Sequence, residues 1–176
     1  MPFQSVHFPV EVPKIYEDLY PHEKDVQRRQ YLGMITAMDE AVGRIVTKLK
    51  ETGQYENTIF AFSSDNGGLP NQGANNYPFR GWKMSLWEGG VRSAGFIAGP
   101  GVKKGAEYEN LFHVSDWMPT LLDAVNVKRS IGKLPLDGVS HWSAIRSKDN
   151  ETPRETVLLN IDRDWSEIRF RQKWKP

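Results

Sequence analysis

The chain has 176 residues, 39% of them hydrophobic and 11% aromatic, enough for a packed core and too many for intrinsic disorder. Lys plus Arg is 23 and Asp plus Glu is 22, a net charge of +1, which argues against a dedicated nucleic-acid binder because no basic excess is present to neutralise phosphates. The absence of cysteine excludes disulfides, thiolate metal sites and a cysteine nucleophile within these residues.

Pro2, Pro9, Pro13 and Pro21 punctuate an extended start, and the alternation over Phe3–His7 predicts a short strand. From about Glu23 to Thr52 apolar residues recur in steps of three and four: Tyr31, Ile35, Met38, Val42, Ile45, Val46 and Leu49. That spacing predicts a one-faced amphipathic helix, with Gly53 as its stop. Thr58–Ser63 is β-rich and apolar on both faces, the pattern of a buried strand in a parallel sheet. Leu69–Gly90 has no period and reads as a long loop, a feature that compact domains usually keep for a site. Further strands are expected at Ala94–Ala98, Thr156–Ile161 and Glu167–Phe170. A helix is expected from Ser115 to about Val125, capped by Ser115 or Asp116, with Leu121, Leu122 and Val125 facing inward. Strands alternating with helices indicate an α/β class.

Several residues could carry chemistry. Asp65 and Asn66 follow the first long strand and precede Gly67 and Gly68. Open sheets place ligands beyond strand ends, and oxygen donors of this type suit a hard cation. The same pair also suits an ordinary Asx turn. Arg80-Gly81-Trp82-Lys83 places cations in a glycine-containing loop, where they can hold a tetrahedral oxyanion, and Trp82 and Trp87 could line a sugar cleft. Against that, taken alone, these residues favour a solvated Lys83 and core tryptophans. His7 ends an extended segment and could give a proton to a leaving group, or serve only as a structural hydrogen-bonder. His22, His113 and His141 share no metal-ligand spacing, and no nucleophile elbow, P-loop or dinucleotide fingerprint is present. Asn150-Glu151-Thr152 is a glycosylation sequon. Lys103-Lys104 and the stretch from Arg169 to Lys175 read as solvated basic faces.

Taken in order, these pieces resemble the type I sulfatases, and within them the arylsulfatase B group. The resemblance rests on Gln4-Ser5-Val6-His7, Tyr31–Gly43, Phe62–Gly68, Arg80–Lys83, Ser85–Arg92, Val114–Leu121 and Leu136-Asp137-Gly138. It implies an alkaline-phosphatase-like α/β sandwich with a mainly parallel sheet, represented here as a fragment. It further implies that Asp65 and Asn66 are calcium ligands and that Lys83 contacts the sulfate. His7 would assist departure of the leaving alcohol. Asn160-Ile161-Asp162 resembles a stretch near the family's substrate cleft. The substrate implied is a sulfated sugar of the glycosaminoglycan type.

The family attacks sulfur with a formylglycine made from Cys or Ser in a Cys/Ser-x-Pro-x-Arg motif. These residues contain no Cys and no Ser followed by x-Pro-x-Arg, so no nucleophile is present in this chain. The paired aspartates that complete the calcium site are also missing, as are the other lysine and histidine of the sulfate pocket. The resemblance therefore implies that residues 1–165 form the carboxyl-terminal part of a catalytic domain and 166–176 the start of a further subdomain. The implied partner is the amino-terminal half of that domain, whose loss would bare a sheet edge and an apolar face. Two other readings remain open: a phosphatase or phosphodiesterase of the same superfamily using zinc, and a non-catalytic chain that binds sulfated glycans. No apolar run approaches the roughly 18–20 residues of a membrane span. The first residues have no signal-peptide pattern, although the family implies a lysosomal or secreted parent.

Overall fold

The computed structural model describes residues 1–127, 134–147, 152–161 and 166–170. The chain divides into two units, Met1–Pro100 and Gly101–Pro176.

The first unit is organised by a long helix. A short helix α1 (Lys14–Glu17) precedes α2 (Val26–Glu51), which runs for 26 residues. Asp25 caps α2 by accepting from the N–H groups of Gln27 and Arg28. Gly53 ends it at φ +69°. The Gly53 N–H bonds Lys50 O at 3.1 Å and the Gln54 N–H bonds Leu49 O at 2.8 Å, so the orphan carbonyls of the last turn are met by a Schellman closure. The start and stop thus lie close to those expected from the apolar period. Polar contacts tie α1 and its flanks to α2. Tyr16 donates to Glu40 at 2.7 Å, the Tyr20 and Thr36 hydroxyls meet at 2.6 Å, and Arg29 holds Glu17 at 2.8 Å.

Strand β1 (Phe60–Ser63) and, after the long loop and a short helix α3 (Glu88–Val91), strand β2 (Gly95–Ala98) form a two-stranded ladder. The register runs from Phe60 opposite Ala98 to Ser63 opposite Gly95. The rings of Phe62 and Phe96 stack across it at 5.2 Å. This pairing is antiparallel, not the parallel one expected for Thr58–Ser63. Nor is the strand buried on both faces as expected, because its residues alternate between half-buried and exposed. The direction of its partner depends on what the connection does, and local sequence does not carry that. The strand expected at Phe3–His7 is replaced by a turn, closed by the His7 N–H on Gln4 O at 3.1 Å. Its alternation covers too few residues to outweigh turn closure.

The second unit contains α4 (Trp117–Ala124), α5 (Trp142–Arg146), β3 (Thr156–Ile161) and β4 (Ser166–Phe170). A single 3-10 turn, Val114–Asp116, leads into α4. The cap is His113, whose ring accepts from the Ser115 N–H, while the Asp116 carboxylate takes the His113 N–H. Asp116 stands at the N-cap position of α4, one of the two expected, but its carboxylate makes no cap bond into that helix and is engaged by Arg154, far along the chain. Pro119 lies in the first turn of α4, where its missing N–H is not needed. Val125 lies past the helix end and is exposed, contrary to the inward face expected of it. β3 and β4 pair antiparallel with a register shift between Leu158 and Asn160, and Val157 and Trp142 are buried. Asn150, Asp162 and the basic residues 171–175 lie outside the described residues.

Candidate functional site

The loop that leaves β1 is held by backbone hydrogen bonds and by polar side chains that bond its backbone. The Ser64 N–H bonds Ala94 O at 2.9 Å and continues the β1–β2 ladder by one residue. The Gly67 N–H then bonds Gly90 O at 2.9 Å. A Cβ at Gly67 would stand 1.7 Å from Gly89 O, so any side chain here would force the two strands of the loop apart. Gly68 is gripped from the other side. Its N–H bonds Asn76 Oδ1 and its carbonyl accepts from Asn76 Nδ2, each at 2.9 Å. Asn76 Nδ2 also reaches Gly81 O at 3.3 Å, which joins the turn after β1 to the segment that carries Lys83. Asn76 escaped sequence reasoning, since an Asn in a polar loop carries no distinguishing pattern. The start of α2 buttresses the same loop, with Arg28 donating to Gly73 O and Gln27 to Gln72.

Lys83 is fastened to this frame by its own N–H, which lies 3.4 Å from Gly68 O. Its ammonium meets the His7 ring, 76 residues away in sequence, with Nζ 3.4 Å from Nε2. The other ring nitrogen, Nδ1, lies 2.8 Å from Phe8 O. A carbonyl can only accept, so Nδ1 carries the hydrogen, and in a neutral ring Nε2 is the acceptor that takes a Lys83 N–H. His7 is exposed and Lys83 half-buried, which leaves the pair open to a ligand.

Asp65 and Asn66 sit at the carboxyl end of β1. Asp65 Oδ1 accepts the Asn66 N–H at 2.8 Å, the local bond of an Asx-type turn, and Asn66 Nδ2 donates to Gly67 O at 2.8 Å. That donation turns the amide nitrogen inward and leaves Asn66 Oδ1 as the acceptor. The remaining oxygens suit a hard cation such as calcium in kind. In number they are a small part of the six to eight such an ion takes, and among the described residues no cluster of three or more His, Cys, Asp or Glu could hold a metal. Trp82 and Trp87 are each half-exposed, so they are not core residues of this unit. The Arg80 guanidinium covers the Trp87 ring at 4.0 Å, and Arg92 lies over Phe79 at 4.7 Å.

The second unit holds a different polar centre, which sequence reasoning missed. Asp116, Thr120 and His141 are fully buried. The Asp116 carboxylate takes a forked pair from Arg154, Nε at 2.8 Å and Nη2 at 2.6 Å. It also accepts the N–H groups of His113 and Val139, each at 2.8 Å, and His141 Nε2 at 3.2 Å. Burial alone would raise the Asp116 carboxyl, but Arg154 and the two backbone N–H groups outweigh it and hold the group below the usual carboxylate range. Since that carboxylate only accepts, His141 Nε2 carries the hydrogen, and Nδ1 accepts from the Tyr108 hydroxyl. Burial lowers the His141 imidazole below its ordinary range, against the attraction of Asp116. The Thr120 hydroxyl accepts the His141 N–H at 3.0 Å. No sequence signal marks these partners, which lie 25 and 38 residues from Asp116.

The family pattern described as sulfatase covers residues 1–127, and the chain belongs to the sulfatase family. Mouse arylsulfatase J is 39% identical over 161 residues, covering 91% of this chain and 27% of that protein. The ulvan-active sulfatase of Formosa agariphila is 30% identical over 174 residues, covering 88% of this chain and 33% of that one. The crystal structure of Ps i-CgsB in complex with k-i-k-neocarrahexaose superposes with a TM-score of 0.81 at 31% identity, over 94% of this chain and 38% of that chain. These neighbours assign the alkaline-phosphatase-like α/β fold of sulfatases. The chain spans about a third or less of the length of the curated relatives it matches. No helix among the described residues is long and apolar enough to cross a membrane.

Proposed function

We propose that this chain supplies the sulfate-facing lysine and the leaving-group histidine of a sulfuric ester hydrolase acting on sulfated sugars. The observation that carries the reading is the meeting of Lys83 Nζ and His7 Nε2 at 3.4 Å on a glycine-packed loop. Cleaving a sulfate ester requires compensation of charge on the sulfuryl oxygens and a proton for the departing alkoxide. Lys83 meets the first need with an ammonium on a loop tied to Gly68. His7 meets the second through Nε2. With no anion present, that atom accepts from Lys83. A bound sulfate competes for the ammonium, and Nε2 is then free to face the ester oxygen. Asp65 and Asn66 would hold part of a calcium site, where the ion would further neutralise the sulfate oxygens. One carboxylate and one amide suit that ion better than zinc, which favours the sulfatase over the zinc phosphatase reading.

The finer assignment, an arylsulfatase B-like enzyme of a lysosomal or secreted compartment acting on sulfated glycosaminoglycan, draws on the order of motifs from Gln4 to Gly138. Sugar as substrate draws also on a relative described as ulvan-active and on a neighbour crystallised with a neocarrahexaose. The attacking group is not among these residues, which contain no Cys. Purified chain should therefore bind inorganic sulfate without turning over an aryl sulfate. The test is an NMR titration with sulfate. Saturable shifts at His7 and Lys83, abolished by Lys83→Ala, support the reading. Sulfate that perturbs neither residue removes it, and turnover by the chain refutes the missing nucleophile.

A further inference from the structure

Lys83 stands at the corner of a turn whose third residue has an unfavourable backbone. The turn runs Trp82-Lys83-Met84-Ser85 and is closed by the Ser85 N–H on Trp82 O at 3.0 Å. Met84 has φ +75°, a left-handed conformation that Gly or Asn ordinarily fills at this turn position. Burial of the Met84 side chain does not compensate, because that side chain is 86% exposed. What holds the conformation is the surroundings. The Ser85 hydroxyl accepts the Trp82 N–H at 3.1 Å and donates to Trp82 O at 2.8 Å, so both backbone groups of Trp82 are clipped by one side chain. From below, Gly90 lies so close that a Cβ on it would stand 2.2 Å from Ser85 O and 2.6 Å from Trp82 O. A strained residue persists only where its neighbours over-determine it, and such residues concentrate at functional sites.

We propose that Met84, held left-handed by the Ser85 clip, is a positioning residue that keeps the Lys83 ammonium on His7. The strain and the site are one residue apart. Lys83 has its N–H on Gly68 O on one side and the clipped turn on the other, so its side chain leaves the loop in a set direction. If Met84 relaxed to negative φ, the Ser85–Trp82 closure would open and the ammonium would lose its registry with Nε2. The sulfate arm of the test rests on the function proposed above; the contact between Lys83 and His7 does not.

The experiment compares full chains carrying Met84→Gly, Met84→Ile, Ser85→Ala and Lys83→Met. At pH 9, above the ordinary imidazole range, the nitrogen-15 shift of His7 Nε2 reports whether it accepts a hydrogen bond. Gly accepts positive φ without strain, so Met84→Gly keeps the wild-type shift and raises the melting temperature by about 2–4 °C. Met84→Ile, which disfavours positive φ strongly, moves the shift to the Lys83→Met value and weakens sulfate binding about tenfold. If Met84→Ile does not fold, Ser85→Ala is read in the same way. A variant of either kind that lowers the melting temperature but leaves the His7 shift at its wild-type value overturns the proposal, as does loss of the contact in Met84→Gly. Should Lys83→Met leave sulfate affinity unchanged, the sulfate reading fails, and the nitrogen-15 shifts still decide the role of Met84.

Discussion

His7 and His141 each sit beside a charged side chain, in opposite surroundings. His7 is exposed and its Nε2 faces the Lys83 ammonium. His141 is fully buried, with Asp116 on one ring nitrogen and Tyr108 on the other, and Arg154 closes the charge balance. Among the described residues, no buried side-chain nitrogen or oxygen lacks a partner. A satisfied buried network has no capacity left for a ligand and serves to specify its unit. A cation beside an exposed imidazole on a backbone-packed loop still has hydrogen-bonding capacity to give to an anion. The difference between scaffold and chemistry thus lies in what each group has left over, and residue type alone does not reveal it.

The largest expected effect tests the scaffold side. Asp116→Ala would strand Arg154, the His141 Nε2–H and two backbone N–H groups in a buried site, at a cost of about 3–5 kcal/mol. Urea unfolding of the full chain measures it, and a loss under about 1 kcal/mol would mean that the network is not the anchor of its unit. Gly67→Ala comes next. Its Cβ must displace Gly89 O, for about 1–3 kcal/mol, with sulfate-induced shifts lost along with it. Unchanged sulfate shifts in a folded variant would show that the loop tolerates opening.

The pH profile sharpens the contrast further. Because His141 is lowered when folded, its contribution to stability is full above the ordinary value of 6.5 and declines as pH falls below it, where the unfolded chain takes up the proton more readily. Asp116, also lowered, adds a second decline below 3.8. His141→Gln should flatten the first decline, and a profile identical to wild type would remove His141 as its source. Calcium gives the smallest effect. With Asp65 and Asn66 as donors, calorimetry should detect only weak binding, which Asp65→Ala abolishes. Tight binding would mean that the ligand set is fuller than the described residues supply.

Some of this architecture was readable from pattern. Tyr31 to Leu49 repeats at helical spacing over a long stretch and ends at a glycine, so the period and the stop agree on α2. Thr156–Ile161 was likewise bounded correctly, since a short β-rich run between turn residues has few alternatives. The ordered motifs from Gln4–His7 through Phe62–Gly68, Arg80–Lys83 and Ser85–Arg92 to Leu136-Asp137-Gly138 resemble the sulfatases, and the sulfatase pattern matches residues 1–127.

The rest belongs to contacts made at long range. Which strand lies beside β1, and in which direction, depends on the whole connection through Gly90. That the Asp116 carboxylate binds Arg154 depends on a residue 38 positions on. That Lys83 finds His7 depends on a turn holding Met84 at positive φ, which nothing about a methionine announces. Local periodicity is written into neighbouring residues and survives reading one at a time. Hydrogen-bond partners, strand direction and strain are properties of the closed chain, and only the folded arrangement selects among them.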